Sequence, residues 1–149
     1  MSILELKDVC YSYSAEKPVL RGMNCTFECG TLYALVGKSG AGKSTLLSLM
    51  AGLDLPDSGQ VLFEGTSTGD MDLDEYRRRK AAVIYQDFAL FPLLTAEENV
   101  CYPLRLRKED KDQALALARQ RLADMGIRES YFRKLPNQLS GGEQQRVAI

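Results

Sequence analysis

A glycine-rich run in the 149-residue sequence carries residue types suited to holding phosphate. It reads Gly37-Lys38-Ser39-Gly40-Ala41-Gly42-Lys43-Ser44-Thr45 and fits the pattern G-x-x-x-x-G-K-[ST]. Glycines let successive backbone N–H groups turn toward an anion, and the N-terminus of a following helix adds partial positive charge. In this pattern Lys43 reaches the β- and γ-phosphates and the Ser44 hydroxyl binds Mg²⁺. The run therefore predicts binding of a nucleoside triphosphate.

The segments on either side of this run have the patterns of the strand and the helix that should flank it. Thr31–Val36 is apolar almost throughout, which suits a strand buried on both faces of a parallel sheet. Lys43–Ala51 has a helical pattern, and Gly52 stands where a helix stop is favoured. Because strand, loop and helix follow in this order, a chance glycine-rich turn is the weaker interpretation. Lys38 occupies a variable position of the motif, where a solvated charge is the better interpretation.

Alternating patterns and turn residues predict further strands and helices, so the fold class is α/β. The basic residues Arg77–Lys80 are most simply a solvated helix face. Ser140 and Glu143 have capping-box spacing, which predicts that a helix starts there. The predicted strands are residues 3–13, 19–29, 60–64 and 81–86, and the other predicted helices are 72–80, 95–107 and 110–125.

Composition excludes several classes of function. The formal net charge of −1 gives no electrostatic case for binding nucleic acid. No apolar run approaches the roughly 18 residues of a membrane span, and the N-terminus lacks the basic region of a signal peptide. The 4 cysteines match no zinc pattern and are expected to be apolar or surface fillers. Histidine is absent, so imidazole chemistry is excluded.

Three further segments resemble motifs of the ATP-binding cassette (ABC) ATPases, in the order of that family. Leu139–Arg146, LSGGEQQR, is similar to the signature sequence. Gln86–Val100, QDFALFPLLTAEENV, resembles the Q-loop and the segment after it. Tyr13, four residues after Val9, stands where the family places an aromatic ring that stacks on adenine. Taken alone, the signature is also an ordinary helix cap, Gln86 a polar strand end, and Tyr13 plain strand packing.

The resemblance covers essentially the whole chain and implies a P-loop NTPase fold. This fold has a RecA-like core, an N-terminal antiparallel β subdomain and a helical subdomain, and here we expect it to be incomplete at the C-terminus. Residues 1–149 would form a partial ABC ATPase domain. The β subdomain and phosphate-loop core would span 1–86. The Q-loop, helical subdomain and signature helix would span 87–149.

The family's site residues transfer to matching positions of this sequence. The resemblance implies that residues 37–45 and Tyr13 bind ATP and that Ser44 and Gln86 contact Mg²⁺. The signature residues would contact the ATP held by the opposite subunit of a head-to-tail dimer. These residues are Ser140, Gly141, Gly142, Glu143 and Gln144.

The resemblance also implies partners and a location. A second ATPase subunit and an integral-membrane permease, docked on the helical subdomain, would place the chain in the cytoplasm, peripheral on the inner face of the cell membrane. Gly52-Leu53-Asp54, the Pro56/Gly59 turn and the run after Gln86 resemble one subgroup. This subgroup comprises the ATPase subunits of bacterial lipoprotein-release, macrolide and antimicrobial-peptide export systems, where Asn is common at the position of Ala89. A catalytically inactive nucleotide-binding fragment of such a subunit is one alternative. A soluble ABC ATPase of repair or translation is another, which the short spacing from Gln86 to Leu139 disfavours.

The family's Walker B strand follows the signature helix, so the resemblance places its Asp and Glu, and the switch-loop His, beyond Ile149. Strands from that region flank the phosphate-loop strand in the family. We therefore expect Thr31–Val36 to lack neighbours in the 149 residues and to expose its apolar edges.

We expect the purified 149-residue chain to release phosphate from Mg-ATP at a negligible rate. A general base alone contributes about 10²–10⁴-fold to such a reaction, and the Mg²⁺ ligand and charge sensor of the family would be missing too. A phosphate-release assay checks this, and turnover near that of an intact cassette would contradict it.

Overall fold

Two long strands and a short hairpin form the sheet of the first part of the chain. A computed structural model describes residues 2–14 and 17–149. The strands are β1 (Ser2–Ser12), β2 (Pro18–Glu28), β3 (Ser58–Phe63) and β4 (Thr66–Ser67). Their order is β2-β1-β3-β4, and every neighbouring pair is antiparallel. An antiparallel sheet of this kind can bury one face and leave the other in water.

A one-residue bulge in β1 decides which of its side chains enter the core. Leu4 and Leu6 are buried before the bulge, and Val9 and Tyr11 are buried after it. The register shifts between Leu6 and Val9 in the pairing with β2 and after Lys7 in the pairing with β3, and Asp8 has φ 48°. Because side chains alternate with period two, a regular strand would instead have turned Asp8 toward the core.

Asn24 on one side of the bulge and Gly59 on the other accommodate it. The backbone N–H of Asp8 donates to Asn24 Oδ1 at 3.0 Å, and Asn24 Nδ2 donates to Asp8 Oδ1 at 2.8 Å. On the other side, Gly59 has φ 80°, and a Cβ there would lie 2.4 Å from the carbonyl oxygens of Lys7 and Asp8. Only glycine therefore fits opposite the bulge.

Two helices complete the first unit, which ends at Ala82. They are α1 (Lys43–Met50) and α2 (Leu73–Arg79), and a 3₁₀ turn spans Thr68–Asp70. Leu46 and Leu49 of α1 join the buried face of the sheet in one apolar cluster. Tyr76 of α2 is buried in the same cluster and donates its hydroxyl to the Met50 carbonyl at 2.8 Å. This bond ties α2 to the C-terminal end of α1.

The second unit, Val83–Ile149, is helical. It contains α3 (Ala96–Leu106), α4 (Lys111–Asp124) and α5 (Gly141–Ala148), with 3₁₀ turns at Glu129–Tyr131 and Pro136–Gln138. Small residues Ala114 and Ala118 are fully buried against α3. Glu97 is also buried, and its carboxylate accepts a hydrogen bond from Arg119 Nε at 2.7 Å, which joins α3 to α4. The apolar core of this unit comprises Ala96, Leu122, Ile127, Phe132, Leu139 and Val147.

Two predicted strands are not formed in the part of the chain that the structure describes. Residues 31–36 and 81–86 enter no strand ladder among the described residues, and the prediction that they are buried is wrong. Leu32 is 98% exposed and Val36 92% exposed. The reason is that a parallel strand is stabilised by hydrogen-bonded neighbours, and an apolar pattern does not reveal whether those neighbours lie among the same residues. The exposure does agree with the expectation that residues 31–36 lack neighbours.

The helices follow the sequence pattern closely, and their ends differ from the predicted ones by one or two residues. The Thr66–Ser67 strand was not predicted because two residues give no periodicity. No helix in the described part of the chain has the length and apolar content to cross a bilayer.

We expect Gly59→Ala to lower the free energy of unfolding by at least about 2 kcal/mol, because the new Cβ would overlap two carbonyl oxygens as well as strain the backbone. Gly65→Ala is the matched control. Gly65 has φ 83°, but a Cβ added there would meet nothing within 4 Å, so only the backbone cost of about 1 kcal/mol applies. Urea unfolding measures both, and equal losses would rule out the steric role of Gly59.

Candidate nucleotide-binding site

The glycine-rich run forms an exposed loop between residues 31–36 and helix α1. Gly40 and Gly42 have φ of 79° and 84°, which side chains with a Cβ rarely adopt. The N–H of Ala41 donates to the Lys38 carbonyl at 3.2 Å and closes a turn inside the loop. The Lys38 side chain is exposed, in agreement with a solvated charge.

Gly42 ends the loop and is the N-cap of α1. It has no side chain to accept the first N–H groups of the helix, and these groups have no acceptor within the helix either. A Cβ at Gly42 would lie 3.0 Å from both Val19 Cγ1 and Leu20 Cδ2 of β2. The positive φ and the close approach of helix and strand favour glycine here, and the helix N-terminus is left without a side-chain cap, which suits an anion.

Lys43 folds back over the loop. Its Nζ donates to the carbonyl oxygens of Gly37 and Lys38, each at 2.8 Å. These contacts place a positive charge beside the N-terminus of α1. Ser44 is exposed in the same helical turn, with its hydroxyl open to a ligand, and Thr45 is buried.

Tyr13 is brought to the same helix from the end of β1. Its hydroxyl lies 2.9 Å from Thr45 Oγ1, yet the residue is 64% exposed. The Tyr11 ring meets it edge-on, with centroids 5.3 Å apart and an interplanar angle of 89°. An exposed ring held beside a phosphate-type loop can stack on a planar base.

Two residues beside Tyr13, namely Tyr11 and Asp54, were not identified from the sequence. Tyr11 donates its hydroxyl to Asp54 Oδ2, and this hydrogen bond raises the pKa of Tyr11 to about 12. The available signal was the spacing of Tyr11 and Tyr13, since residues two apart lie on the same face of a strand. Nothing local in the sequence indicates that Asp54 is their neighbour.

Gln86 lies in the second unit, exposed at the start of a turn. Phe88 and Ala89 follow with φ of 64° and 48°, an unusual pair of left-handed residues. The structure describes the two units separately, so the predicted pairing of Ser44 and Gln86 on Mg²⁺ stays a prediction.

The signature segment forms the predicted capping box at the start of α5. The Ser140 N–H and hydroxyl both donate to Glu143 Oε2, at 2.7 and 2.9 Å, and the Glu143 N–H donates to Ser140 Oγ at 3.4 Å. The two bonds from Ser140 hold the pKa of Glu143 below its ordinary value, and the charge of Arg146 acts in the same direction. Gln144 turns back and donates to the Leu139 carbonyl at 3.1 Å.

The two signature glycines are not explained by packing within the second unit. Nothing lies within 4 Å of a Cβ built on Gly141, and the nearest atom at Gly142 is Arg146 Nη1, at 3.7 Å. Neither has a positive φ. Small residues at these exposed positions leave the N-terminus of α5 open to an outside group.

We expect the Glu143 cap to contribute to the acid sensitivity of the chain. Its pKa is lower in the folded state than the ordinary value of 4.5, so the stabilisation is complete above 4.5 and is lost as the pH falls through the folded-state pKa. Glu143→Gln cannot titrate and should lose less stability than the wild type on acidification below 4.5. Urea unfolding at a series of pH values checks this. Glu109→Gln, outside any capping box, is the control, and if both variants behave like the wild type the cap is not responsible.

Known proteins share both the sequence and the fold. A family model described as ABC transporter matches residues 20–149. The lipoprotein-releasing system ATP-binding protein LolD of Myxococcus xanthus is 38% identical across 100% of this chain and 69% of the relative. The LolD protein of Geobacter metallireducens is 42% identical across 99% of this chain and 68% of the relative. The spermidine/putrescine import ATP-binding protein PotA of Chromobacterium violaceum is 35% identical across 100% of this chain and 40% of the relative.

The fold matches a solved cassette. The dimeric ATP-binding cassette MJ0796, in a post-hydrolysis state bound to ADP and Pi, superimposes with a TM-score of 0.89 at 36% identity. The match covers 98% of this chain and 67% of that one. The chain thus spans about two thirds of the length of the LolD relatives and of the solved cassette. It belongs to the ABC transporter family and has the fold of the ABC ATPase cassettes, with lipoprotein-release proteins among its relatives.

Proposed function

We propose that this chain is the nucleotide-binding part of a transporter subunit that couples the binding and hydrolysis of ATP to export through a membrane permease. The observation that carries the proposal is the phosphate loop. Gly42 leaves the N-terminus of α1 uncapped, and the Lys43 ammonium lies against the loop carbonyls beside it. Together, the free N–H groups of the helix and the lysine charge form a positively charged site for a polyphosphate.

Each residue of the loop has a distinct task in the proposal. The open N–H groups of the loop and of α1 hold phosphate oxygens, and Lys43 neutralises charge at the β- and γ-phosphates. The Ser44 hydroxyl would hold Mg²⁺, with Gln86 as the second proposed ligand, and the ion would neutralise phosphate charge. Tyr13 stacks on adenine with the exposed part of its ring. The residues present fit the nucleotide because the loop and the Tyr13 ring are open to solvent.

We propose that a second subunit completes each site, with the signature residues of one chain facing the ATP of the other. The open glycines at the N-terminus of α5 support this, since nothing in the second unit requires glycine there. The solved cassette MJ0796 is a dimer, which supports the same arrangement. Ser140, Gly141, Gly142, Glu143 and Gln144 are the proposed contact residues.

The helical unit offers a surface for the permease. Phe91 and Tyr102 lie exposed with ring centroids 4.8 Å apart, at a cavity of about 360 Å³ that includes Pro103 and Val147. Asn99 fixes the loop that carries Phe91, because its side chain accepts from the Phe91 N–H at 2.8 Å and donates to the Leu94 carbonyl at 2.9 Å. We propose that a permease segment docks here and holds the chain on the cytoplasmic face of the membrane.

Export, rather than import, is proposed from the relatives named for lipoprotein release. One relative at 35% identity is named for spermidine/putrescine import, so family membership alone does not give the direction. The resemblance of Gln86–Val100 to the export subgroup favours export.

We expect Lys43→Ala to weaken binding of Mg-ATP by at least about tenfold, because a charged donor to phosphate is lost. Titration with a fluorescent ATP analogue, followed by competition with ATP, measures the affinity. Lys7→Ala removes an exposed lysine of β1 outside the loop and should leave the affinity within about twofold of wild type. Binding by Lys43→Ala equal to that by Lys7→Ala would overturn the proposal.

A further inference from the structure

A pair of tyrosines at the end of β1 is attached to both ends of the phosphate-loop helix. The Tyr13 hydroxyl lies 2.9 Å from Thr45 Oγ1, in the first turn of α1. The Tyr11 hydroxyl donates to Asp54, four residues beyond the last residue of the helix. The two rings touch edge to face. Tyr13 is therefore held at its hydroxyl by the helix and at its side by a second, anchored ring.

The anchor itself is well fixed. Asp54 is exposed, and its two carboxylate oxygens have separate tasks. Oδ1 accepts from the Leu55 N–H at 2.9 Å, which orients the side chain from its own backbone, and Oδ2 accepts from Tyr11. The hydrogen bond to Asp54 raises the pKa of Tyr11 to about 12, so the hydroxyl keeps its donor proton well above the neutral range. Tyr11 is buried, so its ring has little freedom to move.

The orientation of the Tyr13 ring matters for a ligand that contacts both this ring and the phosphate loop. Base and triphosphate belong to one molecule, so the base can stack only if the ring plane keeps a set distance and angle from the phosphate loop. Tyr13 is 64% exposed and, without its two attachments, would sample several rotamers. Ordering such a side chain on binding costs affinity, and ordering it beforehand removes that cost.

We propose that Tyr11 and Asp54 are positioning residues for the nucleotide base: they fix the ring of Tyr13 relative to the phosphate loop and so strengthen binding of the base. The inference rests on the proposed function, in which Tyr13 stacks on adenine. It assigns a task to two residues that belong to none of the nucleotide-binding motifs. It also predicts that their loss affects the base and leaves the triphosphate contacts intact.

The first test uses Tyr11→Phe, which keeps the ring and removes the bond to Asp54. We expect Mg-ATP to bind about threefold to tenfold more weakly, the range for one lost hydrogen bond. Inorganic tripolyphosphate with Mg²⁺, which has no base, should bind within about twofold of wild type. Competition against a fluorescent ATP analogue measures both ligands. Unchanged ATP affinity, or an equal loss for both ligands, would overturn the inference.

The second test changes the exposed partner, which the fold tolerates better than a buried one. Asp54→Ala should weaken the binding of Mg-ATP as much as Tyr11→Phe does. Asp54→Asn can still hydrogen-bond to Tyr11, so its affinity for Mg-ATP should stay within about twofold of wild type. The double variant Tyr11→Phe/Asp54→Ala should bind Mg-ATP no more weakly than either single variant, because both substitutions remove the same hydrogen bond. Additive losses, or a loss in Asp54→Asn equal to that in Asp54→Ala, would contradict the coupling.

Tyr13→Ala separates this inference from the proposed function. If the wild-type chain binds no Mg-ATP, the proposed function fails and this inference fails with it. If Tyr13→Ala weakens ATP and Tyr11→Phe does not, the proposed function stands and only the positioning role is lost. If Tyr13→Ala has no effect, base stacking and positioning are both overturned.

Discussion

The bulge at Asp8 is the constraint on which the first unit depends. Before it, β1 faces the core with even-numbered residues, and after it with odd-numbered ones, so Leu6 and Val9 are both buried. The change of parity puts Tyr11 on the face that contacts α1, and Tyr13 follows two residues later. Gly59 lets β3 pass close to the Lys7 and Asp8 carbonyls, where any Cβ would overlap the two oxygens. The placement of Tyr11 and Tyr13 thus depends on a glycine in the neighbouring strand β3.

Four of the glycines fall into two kinds, which differ in what they imply. Gly42 and Gly59 have positive φ, and a Cβ would crowd neighbouring atoms of the first unit, at 3.0 Å for Gly42 and at 2.4 Å for Gly59. Gly141 and Gly142 meet no such limit, and they do not adopt a positive φ. Their small size leaves the N-terminus of α5 accessible, so these glycines indicate a binding partner and not a requirement of folding. The motifs alone do not separate the two kinds, whereas the space around each glycine does.

What the sequence could predict was local. The capping box of Ser140 with Glu143 is confirmed, because it is formed within four residues and needs no other part of the chain. The Asp8 bulge and the Tyr11–Asp54 bond join residues far apart in the sequence, and no periodicity reports such contacts. The same limit explains the error at residues 31–36, whose apolar pattern predicted burial without showing what would cover it. For the site, the motifs indicated the residues, and only the three-dimensional structure revealed their attachments.

The phosphate loop does not depend on pairing of residues 31–36. Its C-terminal end leads into α1 close to Val19 and Leu20 of β2, and α1 is fixed by Leu46 and Leu49 in the apolar cluster of the sheet. The Tyr13–Thr45 bond adds an attachment from β1. All of these partners lie in the antiparallel sheet and α1, so exposure of Leu32 and Val36 does not remove any of them. The geometry of the phosphate loop and of α1 is therefore fixed within the antiparallel sheet and the helix itself.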